Sequence, residues 1–101
     1  YIEEVSYASE DYFIDHPQLS VDLIDTLLDK GISIIGIDAP GLRRGGEHTP
    51  MDQHCADKGV FIVENLSSLN HLLSHDQIKV YTFPVKFGGM TGLPCRVVAE
   101  V

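Results

Sequence analysis

Four side chains near the middle of the chain belong to the types that bind metal ions in proteins. His48, Asp52 and His54 precede a short apolar segment, and Glu64 follows it. Imidazole and carboxylate groups suit zinc or manganese, and catalytic sites leave one coordination position open for water or substrate. The pattern indicates a metal site that includes Glu64, although the same residue types also occur on acidic, solvated helices that bind no ion.

The segment from Asp52 to Leu66 would position these groups. It is predicted to form a short polar helix, a stop at Gly59 and a buried strand at Val60–Val63, with Glu64 at the carboxyl end of that strand. Strand ends often hold functional side chains, because the sheet is rigid and the following loop leaves room for a ligand. A carboxylate so close to a core also needs a partner.

Asp38 has a similar place at the end of another apolar strand, Ile32–Ile37. Its carboxylate either caps the turn that follows or orients a metal-binding histidine without touching the ion. His48 lies in the glycine-rich loop that precedes the polar helix. His48, Asp52 and His54 are all candidate ligands beside Glu64. Alternatively, we assign His48, together with Asp38, to contacts with substrate or with the metal ligands.

Other residues have weaker claims to a function. Cys55 and His54 are the residue types of a thiol-dependent enzyme, but adjacent side chains on a helix diverge in direction. His71 and His75 have a ligand-like spacing of four residues, yet their segment resembles a helix end, where histidine also complements the helix dipole. His16 precedes a proline and is either structural or part of a substrate-binding wall.

Helical segments alternate with apolar, β-branched segments along the chain, which predicts an α/β fold with a mixed sheet and flanking helices; an α+β arrangement is the alternative. The remaining predicted elements are a strand or loop at 1–7, an irregular segment at 9–20, a helix at about 21–29 that Ser20 caps, a helix at about 66–75 that Asn65 caps, and strands at 77–83 and 95–101.

Composition limits the classes of function. The 101 residues fit a single domain or a fragment of one, with 44% hydrophobic residues and a formal charge of −8. The acidic balance argues against nucleic-acid partners and against an anionic membrane surface. The sequence has no apolar segment of about 20 residues that would span a membrane. With only two cysteines, a reduced, cytoplasmic protein is expected.

Four segments together resemble one family. These are Tyr12–Ser20, Gly31–Pro40 (Gly-Ile-Ser-Ile-Ile-Gly-Ile-Asp-Ala-Pro), Gly59–Leu66 (Gly-Val-Phe-Ile-Val-Glu-Asn-Leu) and Phe83–Ala99, which begins Phe-Pro-Val-Lys and ends Gly-Leu-Pro-Cys-Arg-Val-Val-Ala. In this order they are similar to the C-terminal half of the metal-dependent cyclase family, which includes the bacterial kynurenine formamidases. The resemblance covers nearly the whole chain from Tyr12.

The resemblance implies a metal-dependent hydrolase, with Zn or Mn, that uses metal-activated water on an amide, lactam or ester carbonyl of a small molecule. It also implies part of a swivelling β/β/α domain and a homo-oligomer. Glu64 matches the family's C-terminal ligand. The family places a histidine twelve residues earlier, where this chain has Asp52, and His54 comes two residues later. The second ligand is therefore Asp52 or, through a shifted helix, His54.

In the family, the N-terminal half carries a His-x-Gly-Thr-His-x-Asp-x-Pro-x-His motif with most of the ligands and a catalytic histidine. These 101 residues contain no match to that motif. The chain is therefore predicted to be the C-terminal portion of a cyclase-like hydrolase, to contain no catalytic residue of its own, and to be inactive without the N-terminal half. The alternative is a non-catalytic binding or partner module that keeps the cyclase fold.

Overall fold

The computed structural model describes residues 10–101, and within them the chain forms three α-helices and four β-strands. The helices are α1 (Asp11–Ile14), α2 (Val21–Asp29) and α3 (His48–Asp57), the strands are β1 (Ile34–Gly36), β2 (Phe61–Val63), β3 (Lys79–Pro84) and β4 (Cys95–Glu100), and 3-10 helices cover Gly45–Glu47 and Leu69–Leu72. The chain divides after Ser67 into two compact units. The predicted α/β class is confirmed.

Helix α2 forms where the sequence predicts it. Ser20 is extended, and its side-chain oxygen accepts a hydrogen bond from the backbone N–H of Leu23 at 3.2 Å. This bond satisfies one of the donors that the first turn of a helix leaves unpaired. At the other end, Gly31 takes a φ of +72°, which ends the helix at little steric cost. Ile24 is the fully buried residue of this helix.

Strands β1 and β2 form a parallel pair, in which Ile35 lies opposite Ile62. The chain passes from one strand to the other through α3. Beyond the strands, the backbone N–H of Asn65 donates to the carbonyl oxygen of Ala39 at 3.0 Å. The two segments therefore remain hydrogen-bonded past the ends of β1 and β2. The carboxyl ends of parallel strands meet at one edge, and this edge holds Glu64 next to the turn that follows β1.

The core of the first unit lies between this parallel pair and the helices. Its buried side chains come from α2, from the segment around β1, from α3 and from the start of β2, and they are Ile24, Ile35, Ile37, Ala39, Leu42, Cys55 and Val60. Burial of these apolar groups fixes α3 against the two strands. This packing fixes the position of the start of α3 relative to the end of β2.

In the second unit, β3 and β4 form an antiparallel hairpin in which Tyr81 lies opposite Val98. Both strands match the predicted ones to within two residues at each end. The single mixed sheet that the sequence predicts is wrong for the described residues, because the parallel and antiparallel pairs lie in separate sheets.

The prediction of a helix after Glu64 is also wrong. Only a single 3-10 turn forms there, at Leu69–Leu72. Asn65 and Ser68 take φ values of 58° and 62°, in the left-handed region that interrupts an α-helix. Instead of capping a helix, the Asn65 side chain accepts a hydrogen bond from the hydroxyl of Tyr12 at 2.6 Å.

The segment before α2 is more regular than predicted, because it contains α1. The undecided strand or loop at residues 1–7 lies outside the described residues. Of the helices within residues 10–101, none combines the length and the apolar composition that crossing a membrane requires.

Candidate metal centre

The half-buried carboxylate of Glu64, just after β2, meets the imidazole of His48, the first residue of α3. Nε2 of His48 lies 3.0 Å from Oε1 of Glu64 and 3.2 Å from the carbonyl oxygen of Pro40. A carbonyl and an ionised carboxylate only accept hydrogen bonds, so Nε2 carries a proton in this arrangement. His48 thus joins the end of β2 to the turn that follows β1.

Asp52 lies one helical turn after His48, on the same side of α3. Its Oδ2 is 3.5 Å from Nδ1 of His48. Its other oxygen, Oδ1, is buried and has no hydrogen-bond partner among the described residues. Leaving a buried carboxylate oxygen unpaired costs free energy, so this atom is open to a partner other than the described residues, such as a cation or a water molecule.

These three residues fit a divalent cation. One donor atom from each of His48, Asp52 and Glu64 can be chosen so that all three lie within 4.8 Å of one another. Ligand bonds of about 2.0–2.2 Å to zinc place neighbouring ligand atoms roughly 3–3.5 Å apart, so small side-chain rotations would bring the three to one ion. One imidazole and two carboxylates also form a donor set that zinc and manganese accept.

The pKa values in this cluster move in one direction. Burial raises the pKa of Glu64 and that of Asp52, and the nearby His48 opposes both shifts without cancelling them. Burial lowers the pKa of His48, but Asp52 and Glu64 outweigh that effect and raise it above 6.5. All three groups therefore hold protons more readily than usual. A bound cation requires ionised carboxylates and a neutral imidazole, so it would replace a proton here.

The loop between β1 and α3 leaves room for the His48 ring at a single glycine. A Cβ atom on Gly41 would clash with this ring, at 2.7 Å from Nε2 and closer still to Cδ2. The same Cβ atom would also lie 3.1 Å from the carbonyl oxygen of Arg43. The absence of a side chain at this position is what allows His48 to reach both Pro40 and Glu64.

His54 and Asp38 have different surroundings. Nε2 of His54 lies 3.0 Å from Oδ1 of Asp25 on α2, in an exposed pair. Asp38 is half-buried just after β1. Within residues 10–101, neither belongs to the group of donor atoms that could share an ion. The structure thus brings together Asp52, Glu64 and His48, and it directs His54 elsewhere.

The sequence only partly indicated the central place of His48. His48 was among the candidate metal-binding side chains, but it was assigned to contacts with substrate or with the ligands and placed in the loop before the polar helix. In the structure that helix already begins at His48. The spacing of the two residues indicates their proximity: Asp52 is four residues after His48, and residues four apart on a helix share a face.

Cys55 is unsuited to a thiol-dependent reaction. Its side chain is completely buried in the core of the first unit. Burial, together with the charges of Asp52 and Asp25, raises the pKa of its thiol. The reactive form of cysteine is the thiolate, and reaction also requires access to the sulfur. Both observations favour a structural role for Cys55.

Comparison of the chain with protein-family models, with curated proteins and with solved structures found no significant match. The arrangement of His48, Asp52 and Glu64 is therefore the feature of the described residues that points to a function.

Proposed function

We propose that the chain contributes a metal site to a hydrolase that cleaves an amide, lactam or ester carbonyl in a small molecule. His48, Asp52 and Glu64 would hold the cation, Zn or Mn. One observation carries the proposal: a helix start and a strand end bring an imidazole and two carboxylates together, and one buried oxygen of Asp52 has no partner within the described chain. A cation at this point would balance the two carboxylates and give the unpartnered oxygen a ligand bond.

A divalent cation at such a site polarises a carbonyl oxygen and lowers the pKa of water, so that hydrolysis proceeds near neutral pH. The residues of the chain set the conditions for this chemistry. Glu64 and Asp52 supply two negative charges, which balance the charge of the cation. His48 would give up the proton at Nε2 on binding the cation through that atom, and the lack of a side chain at Gly41 leaves room for the ring.

The similarity to the cyclase family supports the reaction class and also indicates what else is needed. In that family the remaining ligands and a catalytic histidine come from an N-terminal motif that these 101 residues do not contain. We therefore propose that the catalytic histidine comes from the N-terminal half of the same protein, and that the chain alone binds metal without hydrolysing substrate. The proposal includes a homo-oligomer, a partial swivelling β/β/α domain and a cytoplasmic location, which the two free cysteines suit.

The test is a titration of the chain with Zn²⁺ and Mn²⁺ by isothermal calorimetry, beside the variants Glu64→Gln and Glu10→Gln. Glu64→Gln removes a metal ligand and is expected to weaken binding by at least about tenfold. Glu10→Gln makes the same chemical change at an exposed position elsewhere on the surface and should bind as the wild type does. Equal affinity of the wild type and Glu64→Gln would contradict the proposed site.

Hydrolysis is assayed separately, with an N-aryl formamide, a lactam and an ester as substrates. The metal-loaded chain is expected to leave all three intact. Turnover that disappears with a chelator would show instead that the chain contains a complete catalytic site. A thiol-dependent reaction would be recognised by turnover that resists the chelator and is lost in Cys55→Ser.

The alternative function is a non-catalytic partner module that keeps the cyclase fold. One observation favours it: Asp52 stands where the family has a histidine ligand. The titration separates the two functions, because a partner module would bind neither Zn²⁺ nor Mn²⁺ and would be indifferent to Glu64→Gln.

A further inference from the structure

The outer edge of strand β4 has no strand beside it within residues 10–101. The hairpin that β4 forms with β3 is a sheet of two strands. An isolated two-stranded hairpin is only marginally stable in water, and three or more strands are needed for a sheet that is stable by itself. The second unit is therefore expected to gain stability when a further strand pairs with this hairpin.

The hydrogen bonds of the hairpin indicate which backbone groups face its outer edges. The backbone N–H of Val85 donates to the carbonyl oxygen of Pro94 at 3.0 Å, just beyond the strands. Hydrogen-bonded pairs alternate with non-hydrogen-bonded pairs along an antiparallel ladder. By this alternation, the even-numbered residues of β4 direct their backbone groups toward β3, and the odd-numbered residues direct theirs outward. The outward residues are Cys95, Val97 and Ala99.

The two outer edges of the hairpin differ in their capacity to pair with another strand. On β3, the same alternation directs the backbone of Pro84 outward, and proline has no N–H to donate. Proline and lysine on an edge strand disfavour pairing with other chains, and β3 also contains Lys79. Strand β4 contains neither residue type between Cys95 and Glu100. The edge of β4 is therefore the one that can accept a further strand.

The sequence of β4 complements a second copy of itself. In antiparallel pairing about a two-fold axis, outward residues lie opposite outward residues and exchange hydrogen bonds. When Val97 lies opposite Ala99 of the second copy, Val98 meets its own counterpart and Arg96 lies opposite Glu100. Opposite charges at directly opposed positions stabilise a sheet. A register shifted by two residues in either direction loses both charge pairs.

The side chains that this pairing uses are accessible. Arg96 and Glu100 are both exposed, and Arg96 takes part in none of the ion pairs within residues 10–101. Glu100 accepts a hydrogen bond from the Tyr81 hydroxyl through Oε2 at 3.0 Å, which leaves Oε1 for a second donor. Val98 lies between the two charges and is 42% exposed, although its side chain is apolar.

We propose that the outer edge of β4 is a dimer interface, in which β4 pairs antiparallel with β4 of a second copy around Val98. The two hairpins then form a four-stranded sheet with one Arg96–Glu100 pair on each side of the two-fold axis. This inference rests on the homo-oligomer in the proposed function, for which it supplies the interface. It does not depend on the metal site, whose candidate ligands belong to the first unit.

The mass of the whole chain in solution, measured by sedimentation equilibrium, tests the interface. The wild type is expected to form a dimer of two 11.2 kDa chains. Arg96→Glu places two carboxylates opposite each other in both charge pairs and should weaken dimerisation by at least about tenfold. Addition of Glu100→Arg exchanges the two charges and should restore the dimer. Lys86→Glu reverses a charge at an exposed position outside the strands and should leave the dimer unchanged.

A disulfide cross-link tests the register without a change in charge. Opposed residues of a non-hydrogen-bonded pair have Cα atoms about 4.5 Å apart, which is within the range of a disulfide. In a Cys95→Ser background, Val98→Cys is therefore expected to give a covalent dimer with oxidised glutathione. Ala99→Cys should give little, because Ala99 and its counterpart are offset by two residues along the strands and lie beyond the reach of a disulfide.

A wild-type chain that is monomeric at every concentration measured overturns the inference and leaves the edge of β4 to another segment of the protein. A dimer that is equally strong in Arg96→Glu overturns it as well, and so does cross-linking through Ala99→Cys in place of Val98→Cys. If the charge variants do not fold, the cross-link decides. A monomeric chain that still binds Zn²⁺ contradicts the dimer alone, so its failure is distinct from failure of the proposed metal site.

Discussion

His48 is placed so that a proton and a cation compete for the same atoms. Its Nε2 lies against Glu64 and its Nδ1 against Asp52. In the metal-free protein a proton on the imidazole balances the two carboxylates, which is why the pKa of His48 is raised despite burial. When a bound cation balances the charge of the two carboxylates instead, the imidazole must be neutral. The affinity for metal is therefore expected to fall as the pH falls below the pKa of His48.

The same proton gives a testable effect on the stability of the metal-free chain. His48 has a folded-state pKa above the ordinary 6.5, so its contribution is fully present below pH 6.5 and is lost as the pH rises through the raised value. The wild type should therefore exceed His48→Gln in free energy of unfolding at pH 5.5, and this advantage should shrink toward pH 9. Urea unfolding in the presence of a chelator measures it.

The exposed His75 supplies the control, since His75→Gln reports any general consequence of replacing an imidazole by an amide. An advantage of the wild type that grows with rising pH would show that the charged form of His48 is not the one that the fold favours. The interaction between His48 and the carboxylates would then have to be reconsidered.

At the scale of elements, local signals were sufficient for some predictions and misleading for others. The cap at Ser20 and the apolar spacing after it predicted α2 correctly, because both signals act within one helix. The leucine spacing after Glu64 also favoured a helix, and there the prediction failed. Asn65 and Ser68 adopt left-handed backbone conformations. The contact of Asn65 with Tyr12, 53 residues away in sequence, is not visible in any local pattern.

The candidate site shows the same division. Glu64 could be proposed from its place at a strand end, and Asp52 from the resemblance to the cyclase family, which has a ligand twelve residues before the glutamate. The choice between Asp52 and His54 depended on which face of α3 turns toward β2. That face is decided by Cys55, which is buried in the core, and by the long-range pairing of β1 with β2. His54 consequently points to Asp25.

The turn between β1 and α3 has no side chain at Gly41, and this leaves space for the His48 ring. The variant Gly41→Ala tests whether that space is needed. A methyl group there would occupy the space of the His48 ring, so the ring must shift away from Pro40 and Glu64. We expect Zn²⁺ affinity to fall by about tenfold and the free energy of unfolding to fall by about 1–3 kcal/mol through overpacking. Calorimetric titration and urea unfolding measure the two effects.

Gly46→Ala is the matched control, because a Cβ atom at Gly46 meets nothing within 4 Å. It should bind Zn²⁺ as the wild type does. A Gly41→Ala variant that also binds normally would mean that the ring position in this structure is not the one used for binding.

At the scale of the whole molecule, charge is divided unequally along the chain. Residues 1–67 contain four basic and thirteen acidic side chains, whereas residues 68–101 contain three basic and two acidic ones. The candidate ligands belong to the unit that ends at Ser67. An acidic unit attracts cations and resists anionic partners through its general field, before any specific contact is made. The net charge of the chain thus agrees with a cation site, although only the side-chain geometry identifies one.

A cation that binds the folded chain and not the unfolded one must stabilise the fold. At a free metal concentration of 100 times the dissociation constant, linkage gives about 2.7 kcal/mol. For a chain of this size that corresponds to a rise in Tm of roughly 10 °C or more. Differential scanning calorimetry with and without Zn²⁺ measures the shift, and addition of a chelator should reverse it.

The shift distinguishes a specific site from general attraction of cations to an acidic protein. Glu64→Gln keeps most of the negative charge of the chain but removes one ligand, so its Tm should rise much less than that of the wild type at the same Zn²⁺ concentration. Equal shifts in both would attribute the stabilisation to charge screening. Screening is also reproduced by Na⁺ at matched ionic strength, whereas coordination by an imidazole and two carboxylates is not.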